Sequence, residues 1–200
     1  MTSNKTSKLL SKTQDAWDRV WGDKSQNSQL QLRVPAIYAL GRLKNQEATL
    51  PLIDGLIDAN NDVGQACLTS LKSSGWQPET NKEQLYLTIA ENRWSDCQAF
   101  GELAISPLLS VLNDETEAIQ ISVITTLGEF CLKAQDAVVP ILNKLFDKNT
   151  SIVLKKSCIE AISLIPTKIA VIGLLKASQT LSDLIIDDKI LALIILVHIY

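Results

Sequence analysis

The sequence predicts an all-α fold in which about four pairs of helices stack as a right-handed α-solenoid, with one helical insertion. Three observations predict it: a proline-containing motif recurs along the chain, apolar residues recur at helical spacing between its copies, and the composition favours helix. Of the 200 residues, 46% are hydrophobic but only 5% are aromatic. This balance is more typical of helices rich in Leu and Ala than of a β-sandwich.

The first helix of each pair is marked by the recurring motif. It reads ATLPLI, AISPLL and AVVPIL, and its prolines are Pro51, Pro107 and Pro140. An aspartate follows each proline by seven residues, at Asp58, Asp114 and Asp147. A weaker fourth copy, AVIGLL, has Gly173 at the proline position. Because proline has no amide hydrogen and a fixed φ, it is tolerated in the first turn of a helix and disruptive further in, so these prolines predict helix starts.

The second helix of each pair is predicted from apolar residues spaced i, i+4 and i+8, which form one stripe on a helix. The four stripes are Leu32, Ala36 and Leu40; Val63, Cys67 and Leu71; Ile119, Val123 and Leu127; and Leu154, Cys158 and Ile162. Cys67 and Cys158 occupy positions that other copies give to alanine or valine. We therefore expect both thiols to be small core side chains rather than reactive groups.

Two helices joined by a tight turn cannot bury their apolar faces alone, so such pairs stack and share a core. The unit AxxPLLxxLxD, followed by a helix of the form VRxxAxxALGxL, resembles the bacterial HEAT repeats described as HEAT-like repeats of phycobilisome lyases. The nearest copy of the second helix is LRVPAIYALGRL, which begins at Leu32. The resemblance covers roughly residues 28–200 and implies a HEAT-like repeat domain over residues 30–200.

The resemblance also implies a ladder of Asp and Arg side chains between neighbouring repeats. The basic residue of this ladder is kept at Arg33. Its counterparts in later copies are Gly64, Gln120, Lys155 and Leu191. We therefore expect most of the ladder to be missing.

The insertion lies in residues 75–103, because Pro51 and Pro107 are 56 residues apart whereas later copies are 33 apart. It predicts a helix near residues 82–92 whose side chains available for burial are Leu85, Tyr86 and Ile89. Its pattern of GWxP, YxxxA, W and GxxA is similar to an extra helical pair in a subset of bacterial HEAT proteins. Trp76 and Trp94 have two interpretations: they anchor a protein partner, or they fill the gap that the insertion opens.

The two ends of the chain differ from the repeats. Residues 1–29 predict an N-terminal cap and a polar linker. A helix is predicted over residues 13–20, with Trp17 and Trp21 one turn apart. The two tryptophans either cover the first repeat or contact a partner. The run from Ile190 to Tyr200 is almost wholly apolar, which predicts that a partner, a second copy or a longer array covers it. At 11 residues it is too short to span a bilayer, which needs about 20.

Composition and motifs argue against several kinds of chemistry. A formal net charge of −3 and a pI near 5.2 do not predict a nucleic-acid-binding surface. The four cysteines include no CxxC pair and His198 is the only histidine, so neither a metal site nor a nucleophile with its base is predicted. We expect no catalytic, cofactor-binding or metal-binding residues, and a reduced protein in the cytoplasm.

The sequence therefore predicts a non-catalytic scaffold or adaptor that binds protein partners, alone or as a segment of a larger assembly. The resemblance supplies the alternative, a subunit or relative of a phycobilin lyase that helps to attach a bilin to phycobiliproteins or to detach it. A third hypothesis, a DNA-repair enzyme of HEAT-like fold, needs a basic surface for phosphates, and the net charge argues against one. The repeat occurs in scaffolds, regulators and enzyme subunits, so the fold alone does not choose a function.

Overall fold

The computed structural model describes residues 30–44, 46–113 and 116–180, and every regular element within these ranges is helical. The all-α prediction is confirmed for this part of the chain. Trp17, Trp21, Asp114 and the apolar run over residues 190–200 lie outside the described residues.

The chain divides into two compact units, and the division follows Arg93, within the predicted insertion. The described elements of the first unit are α1 (Leu30–Leu43), α2 (Gln46–Asp54), a 3₁₀ turn (Gly55–Ile57), α3 (Asn61–Ser74) and α4 (Asn81–Ala90). Those of the second unit are a 3₁₀ segment (Trp94–Ala104), α5 (Ile105–Val111), α6 (Glu117–Glu129), a second 3₁₀ segment (Cys131–Ala137), α7 (Val138–Phe146), α8 (Ile152–Ser163) and α9 (Lys168–Thr180).

Helix contacts follow one rule inside each unit. In the first unit, α3 packs against α1 and α2, and α4 packs against α3 and the 3₁₀ turn. In the second unit, α8 packs against α6 and α7, and α9 packs against α7 and α8. In both units, a second helix therefore contacts the first helix of its own pair and the second helix of the preceding pair.

The predicted stripes of the second helices form the core of each unit. In α3 and α8 every stripe residue is buried, and both Cys67 and Cys158 have 0% of their surface exposed. In α6, Val123 and Leu127 are fully buried and Ile119 is half-buried. The prediction that the two thiols are core side chains is confirmed.

The stripe predicted for α1 is wrong at Leu32, which is 60% exposed. The neighbouring Arg33 is buried instead. The contact between α1 and α3 lies further along the helix, where the Ser70 hydroxyl donates to the carbonyl of Ile37 over 3.5 Å. Leu32 lies more than one turn before this crossing, so α3 does not cover it.

The second helices approach each other through small residues. A Cβ added to Gly41 of α1 would lie 2.7 Å from the Cβ of Ser70 in α3, and one added to Gly128 of α6 would lie 2.8 Å from the Cα of Ala161 in α8. Both contacts lie at the same register. Each glycine directly follows the last residue of its own stripe, and the residue it approaches directly precedes the last residue of the next stripe. The same close contact therefore recurs in both units and fixes the spacing of these helices.

The prolines mark helix starts in two of the three copies. Pro107 and Pro140 lie in the first turns of α5 and α7, as predicted. Pro51 does not, because α2 begins at Gln46 and contains the proline more than a full turn inside. Glu47 lies in the first turn, where a negative charge favours the helix, and Ala48 is buried. These two residues support an additional turn ahead of the proline.

The helix predicted within the insertion is confirmed as α4. Its start is fixed by a capping box, in which the Thr80 hydroxyl accepts from the Glu83 amide over 3.2 Å and the Glu83 carboxylate accepts from the Thr80 amide over 3.3 Å. Its buried side chains include all three that were predicted: Leu85, Tyr86 and Ile89. The capping box fixes the start of α4, and its apolar face packs against the rest of the first unit.

One buried ion pair links α1 to the turn after α2. The guanidinium of Arg33 donates both to Asp58 Oδ1, over 3.4 Å, and to Asp58 Oδ2. Both side chains are nearly inaccessible, at 7% and 3% exposed. The same carboxylate accepts from the Asn60 amide over 3.0 Å, which shapes the turn before α3. This pair corresponds to one rung of the predicted ladder, at the position where the sequence keeps the arginine.

Replacement of Gly128 by alanine tests the close contact between second helices. We expect the free energy of unfolding to fall by about 1–3 kcal/mol, because the added Cβ overlaps Ala161. Alanine's own helix preference opposes this by about 1 kcal/mol. Urea unfolding followed by circular dichroism measures the change. Gly64→Ala is the matched control, because Gly64 is also a buried helical glycine but its Cβ would come no closer than 3.4 Å to the Leu56 carbonyl. Equal stability of the two variants would contradict the contact.

Replacement of Arg33 by methionine tests the buried ion pair. We expect a loss of about 3–5 kcal/mol in the free energy of unfolding, because the buried Asp58 carboxyl group would lose the guanidinium that pairs with it. The double variant Arg33→Met/Asp58→Asn removes both charges and keeps an acceptor for the Asn60 amide, so it should lose less than the single variant. A double variant that is less stable than Arg33→Met would refute this account.

Candidate interaction surface

Trp76 is positioned by the way α3 ends. Gly75 has φ 81°, a left-handed conformation that favours glycine, and its amide donates to the Lys72 carbonyl over 3.2 Å. The Trp76 amide then donates to the Leu71 carbonyl over 3.1 Å. These two bonds form the Schellman motif that closes many helices. The indole that follows is half-buried.

Trp94 begins the first element of the second unit, the 3₁₀ segment Trp94–Ala104, and is also half-buried. Cys97 and Ala104 anchor this segment, since neither exposes any surface. The side-chain amide of Gln98 donates to the Glu129 carboxylate over 3.2 Å, and this hydrogen bond joins the segment to α6. Both tryptophans are therefore partly accessible to solvent. Trp17 and Trp21, the other two candidates, lie outside the described residues.

A cleft of about 620 Å³ opens in the second unit, where the 3₁₀ segment Trp94–Ala104 meets α5. One side is formed by the end of this segment and by α5, and the other by the 3₁₀ segment Cys131–Ala137. The lining residues are Glu102, Ile105, Ser106, Leu109, Leu132, Lys133, Gln135 and Asp136. Leu132 is the most unusual of them, because 57% of this large apolar side chain is exposed.

A second cleft, of about 370 Å³, adjoins the first and shares Leu109 with it. Its other lining residues come from the end of α5 and from α7: Leu112, Asn113, Pro140, Asn143, Lys144 and Asp147. The two clefts together are called the α5 groove below. The groove combines apolar side chains, among them Leu109 and Leu132, with polar and charged ones.

Five charged side chains line the α5 groove. They are Glu102, Lys133 and Asp136 in the larger cleft, and Lys144 and Asp147 in the smaller one. Within the part of the chain that the structure describes, none of these five forms an ion pair. Both signs of charge are therefore available to a bound molecule.

Sequence reasoning missed the α5 groove. The insertion supplies Glu102, and the proline motif supplies Leu109 and Pro140, but nothing in the pattern indicated Leu132. One local signal is visible in retrospect. The stretch CLKAQDA, residues 131–137, lies between two apolar helices. Its first residue, Cys131, has φ 52°, a left-handed conformation that ends α6, and the next residue, Leu132, is exposed.

Three of the four cysteine thiols are buried, so they are poor candidates for reactive groups. Cys67, Cys97 and Cys158 are buried and Cys131 is exposed. Burial raises the pKa of Cys67 to about 12, and the neighbouring Asp58 carboxylate acts in the same direction. Burial likewise raises the pKa of Cys158 to about 12, against a smaller opposing effect of Lys144. These two thiols stay protonated at neutral pH, so they are poor nucleophiles. Among the described residues, no three His, Cys, Asp or Glu side chains are grouped to hold a metal ion.

Thiol labelling tests this arrangement. We expect one thiol per native chain to react rapidly with Ellman's reagent at pH 8, and four to react in denaturant. Cys131→Ser should abolish the native reaction. Rapid reaction of a second thiol in the native protein would contradict the burial of Cys67, Cys97 and Cys158.

The same pKa values predict how stability depends on alkaline pH. The ordinary thiol pKa is 9.0, so between that value and about 12 the unfolded chain loses protons that folded Cys67 and Cys158 keep. The free energy of unfolding should therefore fall as the pH rises above 9. Urea unfolding at pH 8, 9 and 10 measures this fall, and a Cys67→Ala variant should show a smaller one. An unchanged slope in that variant would contradict the assignment.

No protein-family model matches the chain, and a search of curated proteins gives no match either. In the described part of the chain, none of the helices has both the length and the apolar character needed to cross a bilayer.

Proposed function

We propose that this protein is a non-catalytic scaffold, a HEAT-type α-solenoid that binds another protein, with the α5 groove as a binding surface. The groove is the observation that carries the proposal. The regular helices use their apolar stripes for packing within each unit, whereas the groove presents apolar and charged side chains together at the surface.

Repetition of contacts supports a solenoid arrangement. The glycine contact of α1 with α3 recurs between α6 and α8 at the same register, and α3 and α8 each pack on the two helices that precede them. Repeat proteins are stabilised by contacts of this local, repeated kind. The HEAT-like sequence pattern agrees with them, and solenoids of this type expose long surfaces to partners.

The shape and lining of the groove favour a protein over a small ligand. Its volume lies in the range of small-molecule sites, which is roughly 300–1,000 Å³. However, Leu132 is 57% exposed, and Glu102 and Asp136 are exposed as well. A small ligand there would keep one side in water. A partner segment with an apolar side chain and flanking charges would cover Leu132 and meet both signs of charge.

The test combines affinity capture from the native cell with variants of matched exposure. Leu132→Glu alters the groove. Ile172→Glu alters a comparably exposed apolar residue of α9, outside the groove, which is 66% exposed. We expect Leu132→Glu to reduce recovery of a partner at least about 10-fold, because a central apolar anchor contributes roughly 2 kcal/mol or more to binding. The Ile172→Glu variant should recover as much of the partner as the parent chain does.

A second arm separates the groove from the tryptophans. Trp76→Ala and Trp94→Ala are compared with the parent chain by the same capture, after circular dichroism has shown that each variant is folded. Loss of the partner with Trp94→Ala and not with Leu132→Glu would move the binding surface to the start of the second unit. Failure of the parent chain to capture any partner would count against the scaffold function itself.

A further inference from the structure

One side of α9 exposes apolar and basic side chains together. Ile169 and Ile172 are 53% and 66% exposed, and Lys168 and Lys176 are exposed as well. Lys168, Ile172 and Lys176 follow one another at intervals of four residues, which places them on one face of the helix. Ile169 precedes Ile172 by three residues, so it lies on the same face. The buried side of α9 packs against α7 and α8.

The neighbouring helix α7 extends this surface. The two helices meet closely at Gly173 of α9, where an added Cβ would lie 2.3 Å from Leu142 Cδ2 of α7. Val139 lies one turn before Leu142 and is 49% exposed. It also holds the position in α7 that Ile172 holds in α9, directly before the proline or glycine of the repeated motif. The surface is called the α9 face below and consists of Val139, Lys168, Ile169, Ile172 and Lys176.

The charge on the α9 face has one sign. Neither α7 nor α9 contains an acidic residue, and together they contain three lysines. The ammonium group of Lys176 lies 4.9 Å from the centroid of the Phe146 ring, a contact that holds this cation between the two helices. Within the described part of the chain, neither Lys168 nor Lys176 forms an ion pair. The acidic residues that flank α7, Asp136 and Asp147, line the α5 groove.

The distribution of charge along the chain shows the same asymmetry. Residues 131–200 contain eight basic and six acidic residues, whereas residues 1–130 contain 11 basic and 16 acidic residues. The balance is strongest in residues 131–180, with seven lysines and three acidic residues. The region around the α9 face is therefore basic although the whole chain is acidic.

We propose that the α9 face docks this protein on an anionic lipid surface. Val139, Ile169 and Ile172 enter the boundary between headgroups and acyl chains, and the two lysines lie among the lipid phosphates. Exposed apolar patches with polar rims commonly mark surfaces that bind a partner or a membrane. Because only three aliphatic side chains and two lysines take part, the docking is peripheral and reversible.

The form of the α9 face favours a lipid surface over a protein segment. Its three aliphatic residues line neither cleft of the α5 groove. A peptide gains affinity when its anchors fill a cleft, whereas a lipid surface accepts side chains that project from a helix. The α5 groove presents both signs of charge, and the α9 face presents only positive charge. The two surfaces thus differ in chemistry, and the lipid contact does not depend on a partner in the groove.

Cosedimentation of the full chain with vesicles tests the proposal. We expect binding to vesicles made of phosphatidylcholine and phosphatidylglycerol, and little binding to vesicles of phosphatidylcholine alone. Lys168→Glu/Lys176→Glu should weaken binding at least about 30-fold, because each lysine near an anionic surface contributes roughly fivefold. Ile169→Ser/Ile172→Ser should weaken it at least about 10-fold, because most of the apolar area of the face is removed.

Helix α8 supplies matched controls in the same unit. Ile152 and Val153 are 64% and 59% exposed, and Lys155 and Lys156 follow them directly. Ile152→Ser/Val153→Ser and Lys155→Glu/Lys156→Glu make the same chemical changes outside the α9 face. Each should weaken binding less than about threefold, since salt screens charges that lie away from the contact. Circular dichroism establishes that every variant is folded before its binding is compared.

Four outcomes overturn the proposal. They are no binding to the mixed vesicles, equal binding to both kinds of vesicle, equal losses in the α8 and α9 variants, and dimers in light scattering that Ile169→Ser/Ile172→Ser abolishes while vesicles bind nothing. The last of these assigns the face to a second copy of the chain. Leu132→Glu should bind vesicles as the parent chain does, so failure of the α5 groove and failure of the α9 face are distinguishable.

Discussion

Successive second helices approach each other closely in both units, and this contact sets the packing of the core. Gly41 lies against Ser70 and Gly128 against Ala161, and a methyl group at either glycine would overlap its neighbour. This short separation brings the apolar stripes of both helices into one core. Because the same pair of positions makes the contact in both units, the repeat in sequence becomes a repeat in packing.

The buried pair of Arg33 and Asp58 is the polar exception within this apolar core. Two charges removed from water stabilise a fold little in themselves, but they are tolerated only in one geometry, since either charge alone is strongly destabilising. The pair therefore fixes how α1 meets the turn after α2. It also lies close enough to affect the pKa of Cys67. In later copies the equivalent position is occupied by Gly64, Gln120 and Lys155 instead of arginine.

Surface features arise where the repeat is interrupted. The insertion contributes Glu102, and the second 3₁₀ segment presents Leu132 to solvent, so the larger cleft of the α5 groove forms between two irregular segments and a regular helix. Side chains in a regular second helix have neighbours on both sides that cover their stripes. Irregular segments leave side chains uncovered, which is why loops and interruptions commonly carry binding sites.

Sequence patterns predict the helices, the stripes of α3 and α8, the core positions of Cys67 and Cys158, and a helix in the insertion. These features follow from periodicity and from capping, which are local properties of the chain. The exposure of Leu32, the extra turn before Pro51 and the α5 groove depend on contacts between segments that are distant in sequence. Periodicity reports which residues share a face of a helix. The part of that face that is covered depends on where another helix crosses it, and residues far apart in the chain set that crossing.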